Sequence, residues 1–324
     1  MKQSASNEEG LLKPQENGPE QDQPEYGFLH LRVLLPFLFL SLIWGSTWLV
    51  IRDQISSVPA GWSVTYRFLV AAVAMFALAK IMRLKLTIDR STHRWAMLVG
   101  LLQFMANFNL VYMAEHYVTS GLVAVLFALL IVPNAILGWF FLGRQVSRSF
   151  WIGSAIAIVG IGLLILREYR VASVGGNAVL AGAALTIAAV IGVSFSNVLQ
   201  ASHRLNKFPI VTMLAWGMFY GSLLNIIWAL FVHGMPAIDT RPGYLGGVLY
   251  LSIVGSVMTF PLYFQLVRDI GPGKAAYTSV LVPVVAMLLS TLFEGYVWSG
   301  LAASGAALAM LGLLISMQAA KPSR

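Results

Sequence analysis

The chain has 324 residues, 58% of them hydrophobic and 10% charged, with a formal net charge of +8 and a mean hydropathy of +0.77. An ordinary soluble protein carries roughly 25% charged residues, so this composition cannot supply a polar skin, and a soluble enzyme or nucleic-acid-binding domain is excluded in favour of a membrane protein. Cysteine is absent, which removes disulfide frameworks, thiolate metal sites and redox cysteines.

In chain order, residues 1–32 set Glu8, Glu9, Glu16, Glu20, Asp22 and Glu25 among Gln, Pro, Asn and Gly. That composition reads as a disordered tail, and no cleavable signal segment is expected. Ten apolar stretches follow at about 33–51, 60–82, 95–114, 118–142, 148–166, 178–200, 209–231, 244–267, 272–293 and 298–318. Each is near the about 20 residues that a helical span needs. The runs are continuously apolar rather than alternating, which favours helices over a β-barrel. Residues 319–324 form a short second tail, and the expected fold is an all-α membrane protein with ten transmembrane helices.

Orientation follows from Lys and Arg in the loops. With the N-terminus cytoplasmic, that side receives Lys2, Lys13, Arg32, Lys80, Arg83, Lys85, Arg90, Arg94, Arg144, Arg148, Arg204, Lys207, Arg268, Lys274, Lys321 and Arg324, while the other receives Arg52, Arg167, Arg170 and Arg241. Sixteen basic residues against four place both termini in the cytoplasm.

The chain also repeats at an offset of 150 residues: Pro59 with Pro209, Gly121 with Gly271, Val132-Pro133 with Val282-Pro283, and Gly162-Leu163-Leu164-Ile165 with Gly312-Leu313-Leu314-Ile315. Residues 33–170 and 171–318 thus read as two five-helix repeats. Five is odd, so the second repeat must cross with opposite orientation, and two inverted repeats around a central site are a common plan of secondary transporters.

Trp44-Gly45-Ser46 in the first span, Arg67-Phe68 in the second, the run from Ala124 to Pro133 and Phe141-Leu142-Gly143 resemble the EamA family of the drug/metabolite transporter superfamily. The resemblance covers about residues 33–318. It implies a ten-helix exporter or facilitator of small metabolites, amino acids or related compounds among them, in a bacterial inner membrane. Family members often carry Glu after the Leu-Gly that closes the fourth span; here that position is Arg144, and its repeat mate is Glu294.

Arg67 is the one full charge well inside an expected span. It reads either as an anchor for an anionic solute group or as a snorkelling side chain, since it lies about 10 Å from the outer edge at roughly 1.5 Å per residue. Inward polar faces are expected at Gln103 and Asn107, at Ser194, Asn197 and Gln200, and at Ser252, Ser256, Thr259 and Tyr263, each at helical spacing. The alternative for these groups is hydrogen bonding between helices. Trp44, Trp48, Tyr66, Tyr112, Trp216, Tyr220, Tyr263 and Tyr277 lie on the same or adjacent spans, and buried rings with polar tips suit an amphipathic solute. Trp62, Trp95 and Trp298 are expected in interfacial belts. The substrate-binding set is therefore Trp44, Thr47, Tyr66, Arg67, Gln103, Asn107, Ser194, Asn197, Trp216, Ser256, Thr259 and Tyr263.

Pro133 and Pro283 interrupt equivalent spans and are expected as hinges, with a static kink as the alternative. Gly153 with Ala157 and Ala303 with Ala307 are expected to let the fifth and tenth helices meet closely or to form a homodimer contact. No carboxylate pair and no metal-spaced cluster appears along the chain, which argues against the rival reading, an integral membrane enzyme acting on a lipid-linked substrate. No metal, cofactor or nucleic acid is expected; the partners are a small-molecule solute and the bilayer. Asp and Glu fall in the tail, in loops or at span ends, with Glu115 and Glu294 nearest the bilayer, so facilitated diffusion is preferred to coupling through a mid-membrane carboxylate.

Overall fold

The computed structural model describes residues 31–143, 146–173, 175–266 and 278–318, and within them the regular structure is helical throughout. Eight helices are long and apolar enough to cross a membrane: α1 (Leu31–Gln54), α2 (Ala60–Ile81), α3 (Arg90–Ala114), α4 (Ser120–Leu142), α5 (Arg148–Val171), α6 (Gly176–Gln200), α7 (Ile210–His233) and α8 (Pro242–Leu266). Two further apolar helices are shorter, α9 (Thr278–Phe293) and α10 (Gly300–Gln318). Residues 1–30 and 319–324 of the expected tails, Arg144, Gly271 and Tyr277 lie outside the described residues, while the last two residues of the expected N-terminal tail, Leu31 and Arg32, already belong to α1.

Local sequence sets the helix ends. Pro59 and Pro209 occupy the positions before α2 and α7 with extended backbone, where a missing N–H and a fixed φ do no harm. Asp89 and Ser147 accept backbone N–H groups from Thr92 and Phe150 at the starts of α3 and α5, satisfying donors that a helix leaves open. Gly143 closes α4 at a φ of 66°, a left-handed conformation that glycine adopts without steric cost.

Two helices depart from α-geometry in their interiors. Gly100–Ala106 of α3 and Tyr250–Met258 of α8 are π-helical, and the two segments begin 150 positions apart. Widened turns of this kind re-aim side chains and release backbone groups, and they occur frequently at functional sites. In α3 the released carbonyl of Phe104 accepts from Asn225 Nδ2 of α7 at 3.1 Å, and Asn225 Oδ1 accepts from Asn109 Nδ2 at 2.7 Å.

The broadest packing joins α5 to α10, followed by α2 to α7. Helix α1 lies on α9, α4 lies on α6 and α9, and α3 rests on α6 and α7. At the α5–α10 seam, a Cβ on Gly153, Gly160, Gly305 or Gly312 would run into backbone of the facing helix. The expected close approach is thus an intramolecular contact with a different register on α10. Ala302, Gly305, Ala309 and Gly312 are buried there, whereas Ala303 and Ala307 are exposed on the opposite face, because the inward stripe runs at three- and four-residue steps from Ala302. Trp62 also departs from expectation: it is 3% exposed and packs with Val58, Ala229, Tyr244 and Val248 instead of joining a belt.

Candidate functional site

Between the helices lies a cavity of about 130 Å³. Trp44, Thr47, Trp48 and Ile51 of α1 form one wall, and Gln103, Asn107, Phe108 and Val111 of α3 form another. Ala124, Phe127, Ala128 and Leu130 of α4, Val193 and Asn197 of α6, Phe260, Tyr263 and Phe264 of α8, and Thr278, Val282 and Pro283 of α9 complete it. Arg67 of α2 supplies its cation.

Arg67 does not snorkel. It is 2% exposed, its guanidinium carbon sits 4.4 Å from the centre of the Phe108 ring and 5.2 Å from that of Phe68, and such faces attract a cation electrostatically. Nε and Nη2 donate to Ser256 Oγ at 3.3 and 3.2 Å, while Ser256 Oγ donates to the carbonyl of Leu251 at 2.8 Å. Ser252 Oγ shares its one hydrogen between the backbone carbonyls of Val248 at 2.6 Å and Arg67 at 2.8 Å. Both serines belong to the π segment of α8, and a Cβ at Gly255 between them would reach within 3.7 Å of Nη2. This holds two nitrogens of the guanidinium and leaves the third, Nη1, buried without a hydrogen-bond partner.

Two acceptors on the same wall are equally unspent. Gln103 Oε1 and Asn107 Oδ1 are buried and unpartnered, although Asn107 Nδ2 donates to the carbonyl of Gln103 at 3.3 Å. Leaving buried polar groups unpaired costs about 1–3 kcal/mol apiece. A cavity that keeps two donor nitrogens, Arg67 Nη1 and Trp48 Nε1, and two acceptors open among aromatic walls is therefore arranged for a visitor that supplies the missing partners.

Of the residues expected from sequence, Trp44, Thr47, Arg67, Gln103, Asn107, Asn197 and Tyr263 line this cavity, together with the expected hinge Pro283. Ser256 and Thr259 stand behind the lining: Ser256 holds Arg67, and Thr259 accepts from Trp44 Nε1 at 3.0 Å while donating to the carbonyl of Gly255. Three lie elsewhere. Tyr66 stacks on Trp62 and donates to the carbonyl of Ala237; Ser194 donates back to Val190 of its own helix; Trp216 donates to the carbonyl of Leu86 and packs on His93. Each satisfies its polar tip on a backbone carbonyl outside the cavity lining, which removes the reason to face a cavity. Pro133 also lies off the lining, beyond a 3₁₀ turn at Ala128–Leu130. Sequence reasoning missed Phe108, Phe127, Phe260 and Phe264, because phenylalanine on a uniformly apolar helix offers no contrast by which to choose its face.

The model of the EamA-like transporter family matches residues 31–166 and again residues 180–318. The chain belongs to this family. Its relatives include the "Uncharacterized inner membrane transporter YedA" of Escherichia coli K12, 31% identical over 82% of this chain and 86% of its own length. The "Uncharacterized transporter YoaV" of Bacillus subtilis is 22% identical over 81% of this chain and 88% of its own, and "Protein PagO" of Salmonella typhimurium is 24% identical over 80% and 84%. A solved crystal structure superposes with a TM-score of 0.61 at 19% identity, covering 89% of this chain and 98% of its own, which bears on the fold alone.

Proposed function

We propose that this protein exports a small polar or amphipathic metabolite, an amino acid or related carboxylate, across the cell inner membrane by alternating access. The observation that carries the reading is the cavity itself: a 2%-exposed Arg67 with an unspent Nη1, two unspent amide oxygens and aromatic walls. The guanidinium suits a carboxylate, Gln103 Oε1 and Asn107 Oδ1 suit an ammonium or hydroxyl, and Trp44, Phe127 and Phe260 suit an apolar side chain.

Alternating access asks for two halves that rock about the site. Ten spans in two inverted five-helix repeats meet that need. The 150-residue sequence offset supports this reading, as do the π segments starting at Gly100 and Tyr250 and the two separate family matches. The packing is also consistent with it: exchanging each helix for the one five further on turns the α1–α9 contact into α6–α4 and leaves the α5–α10, α2–α7 and α4–α9 contacts unchanged. The inner-membrane assignment draws on the name printed for YedA.

The decisive experiment is counterflow in proteoliposomes holding the purified full-length protein. Vesicles preloaded with unlabelled amino acids and related carboxylates should accumulate the matching labelled solute transiently, and protein-free vesicles should not. A panel of amino acids, other carboxylates and neutral amphiphiles that all fail to exchange through folded protein would refute the proposal.

A further inference from the structure

Although no carboxylate pair is legible along the chain, one forms in space. Glu115 follows α3 and Glu294 follows α9, and both reach Ser120 at the start of α4. Ser120 Oγ lies 2.6 Å from Glu294 Oε1, 3.0 Å from Glu115 Oε2 and 3.2 Å from the carbonyl of Trp48. Glu294 Oε2 accepts from the backbone N–H of Ser120 at 3.2 Å and from Ser290 Oγ at 2.5 Å.

Counting hydrogens places a proton. Ser120 Oγ has one hydrogen to give, and the shortest contact assigns it to Glu294, which then accepts three hydrogen bonds beside the N-terminus of α4. Glu115 receives none. It is 0% exposed, and its Oε1 is buried without a partner. The 3.0 Å contact to Ser120 is a hydrogen bond only if Glu115 Oε2 carries a hydrogen and donates it.

The cluster also has a position. On three elements it lies at or one helical turn from the cavity wall: Glu115 is four residues past Val111, Ser120 four before Ala124, and Trp48 contributes its carbonyl to the cluster as well as lining the cavity. We infer that Glu115, Ser120 and Glu294 form a proton-binding latch that closes this end of the cavity. A proton taken from water forms an O–H bond on Glu115 and lets the two carboxyl groups share Ser120. When that bond breaks and the proton returns to water, the buried Glu115 carboxylate faces the half-buried Glu294 carboxylate across one hydroxyl and the two repel, parting α4 from α9. The proton site stands on the hydrogen bonding alone; its service as a latch rests on the transporter reading.

The other groups around the pair do not neutralise it. From α1, Arg52 Nη1 donates to the backbone carbonyls of Glu115 and Val118, not to the carboxyl. From α3, the Tyr112 hydroxyl is spent on Gln54 Oε1 at 3.2 Å. His116, next in the chain, is held below its usual range first by partial desolvation of its ring and then by the Arg52 charge. Arg167 pairs with Glu168 and covers the Tyr296 ring. Burial first, and then the neighbouring Glu294 charge, push the Glu115 carboxyl well above the ordinary carboxylate range against the opposing pull of Ser120 and Arg52. Its folded value being raised, the closed arrangement is favoured at low pH and loses that advantage as pH rises through the raised value.

Two measurements on the full-length protein in bilayers test this. Infrared titration should show one buried protonated carboxyl group at neutral pH that disappears in Glu115→Gln and titrates at lower pH in Glu294→Gln. No such band, or one that survives in Glu115→Gln, overturns the proton site. For the latch, the natural absence of cysteine allows Ala124→Cys to report opening through a membrane-impermeant maleimide. Labelling, divided by that in a Glu115→Gln/Glu294→Gln background to cancel the thiol's own titration, should rise with pH by up to about tenfold per unit, the limit for one proton. A ratio independent of pH, or one that follows sodium at fixed pH, overturns the latch. Counterflow on the same samples separates the two readings: a protein with the band but no solute exchange retains the proton site and loses the transporter assignment.

Discussion

Arg67 is held in a way that a purely structural cation would not need. A buried charge is expensive unless paired, and among the described residues no carboxylate pairs with the guanidinium; a serine hydroxyl, two phenylalanine rings and the neighbouring Tyr112 hydroxyl surround it. An acidic partner would neutralise the charge and leave nothing for a solute, whereas Ser256 orients two nitrogens and keeps the third free. Arg67→Lys retains the charge but cannot both reach Ser256 and present a planar fork to a carboxylate. Flux of a verified carboxylate solute should fall at least about tenfold in Arg67→Lys, equivalent to about 1.4 kcal/mol, and be lost in Arg67→Ala. Both proteins should elute and melt as folded species. Wild-type flux in the Lys variant would remove Arg67 from the site.

At the scale of the helix, the α5–α10 seam and the cavity wall ask different things of small residues. The seam is a contact of backbone with backbone, so adding volume forces the helices apart, and overpacking of this kind costs about 1–3 kcal/mol. Gly160→Leu should therefore lower the melting temperature in detergent and reduce the folded yield, while Gly162→Leu, where a Cβ meets nothing within 4 Å, should change neither. Equal melting of the two variants would refute the seam. Much of this element-level picture was legible in the sequence, because span length, proline position and the 150-residue offset are written in composition and spacing. Faces were harder to read. The stripe Ser252, Ser256, Thr259 turned inward as its spacing suggested, yet Ser194 and Trp216 had the same credentials and turned to the backbone carbonyls of Val190 and Leu86. The register on α10 was misjudged because Ala302, Ala303, Ala306 and Ala307 are chemically alike, and only the facing glycines of α5 distinguish them. The Glu115–Glu294 pair was invisible for another reason: its members are 179 positions apart, and nothing local marks Glu115 as buried.

At the scale of the whole molecule, the cavity and the carboxyl latch acquire a direction only from topology. The structure sets Glu115, Ser120, Glu294 and the Arg167–Glu168 pair at the same end of the bundle, joined through Trp48, Tyr296 and Val297. The opposite end gathers the Lys85 and Leu86 carbonyls, which accept from Thr212 and Trp216, and Arg204 over Trp95. Basic residues crowd the second end and are sparse at the first, so the latch should face outward and the basic end the cytoplasm. Tags at both termini should then be inaccessible from outside intact cells, and a tag inserted between Arg167 and Asn177 should be accessible. Moving charge supplies a sharper test than tagging alone. If loop charge sets the orientation, replacing Lys80, Arg83, Lys85, Arg90 and Arg94 together by Gln should weaken the bias at the α2–α3 loop and expose the terminal tags in part of the population, whereas the same treatment of Arg167 and Arg170 should leave them hidden. An outward C-terminus with an inward N-terminus would break the odd-number argument for inverted repeats, whereas both termini outward would preserve it and turn the latch to the cytoplasmic side, where it would answer to internal rather than external pH.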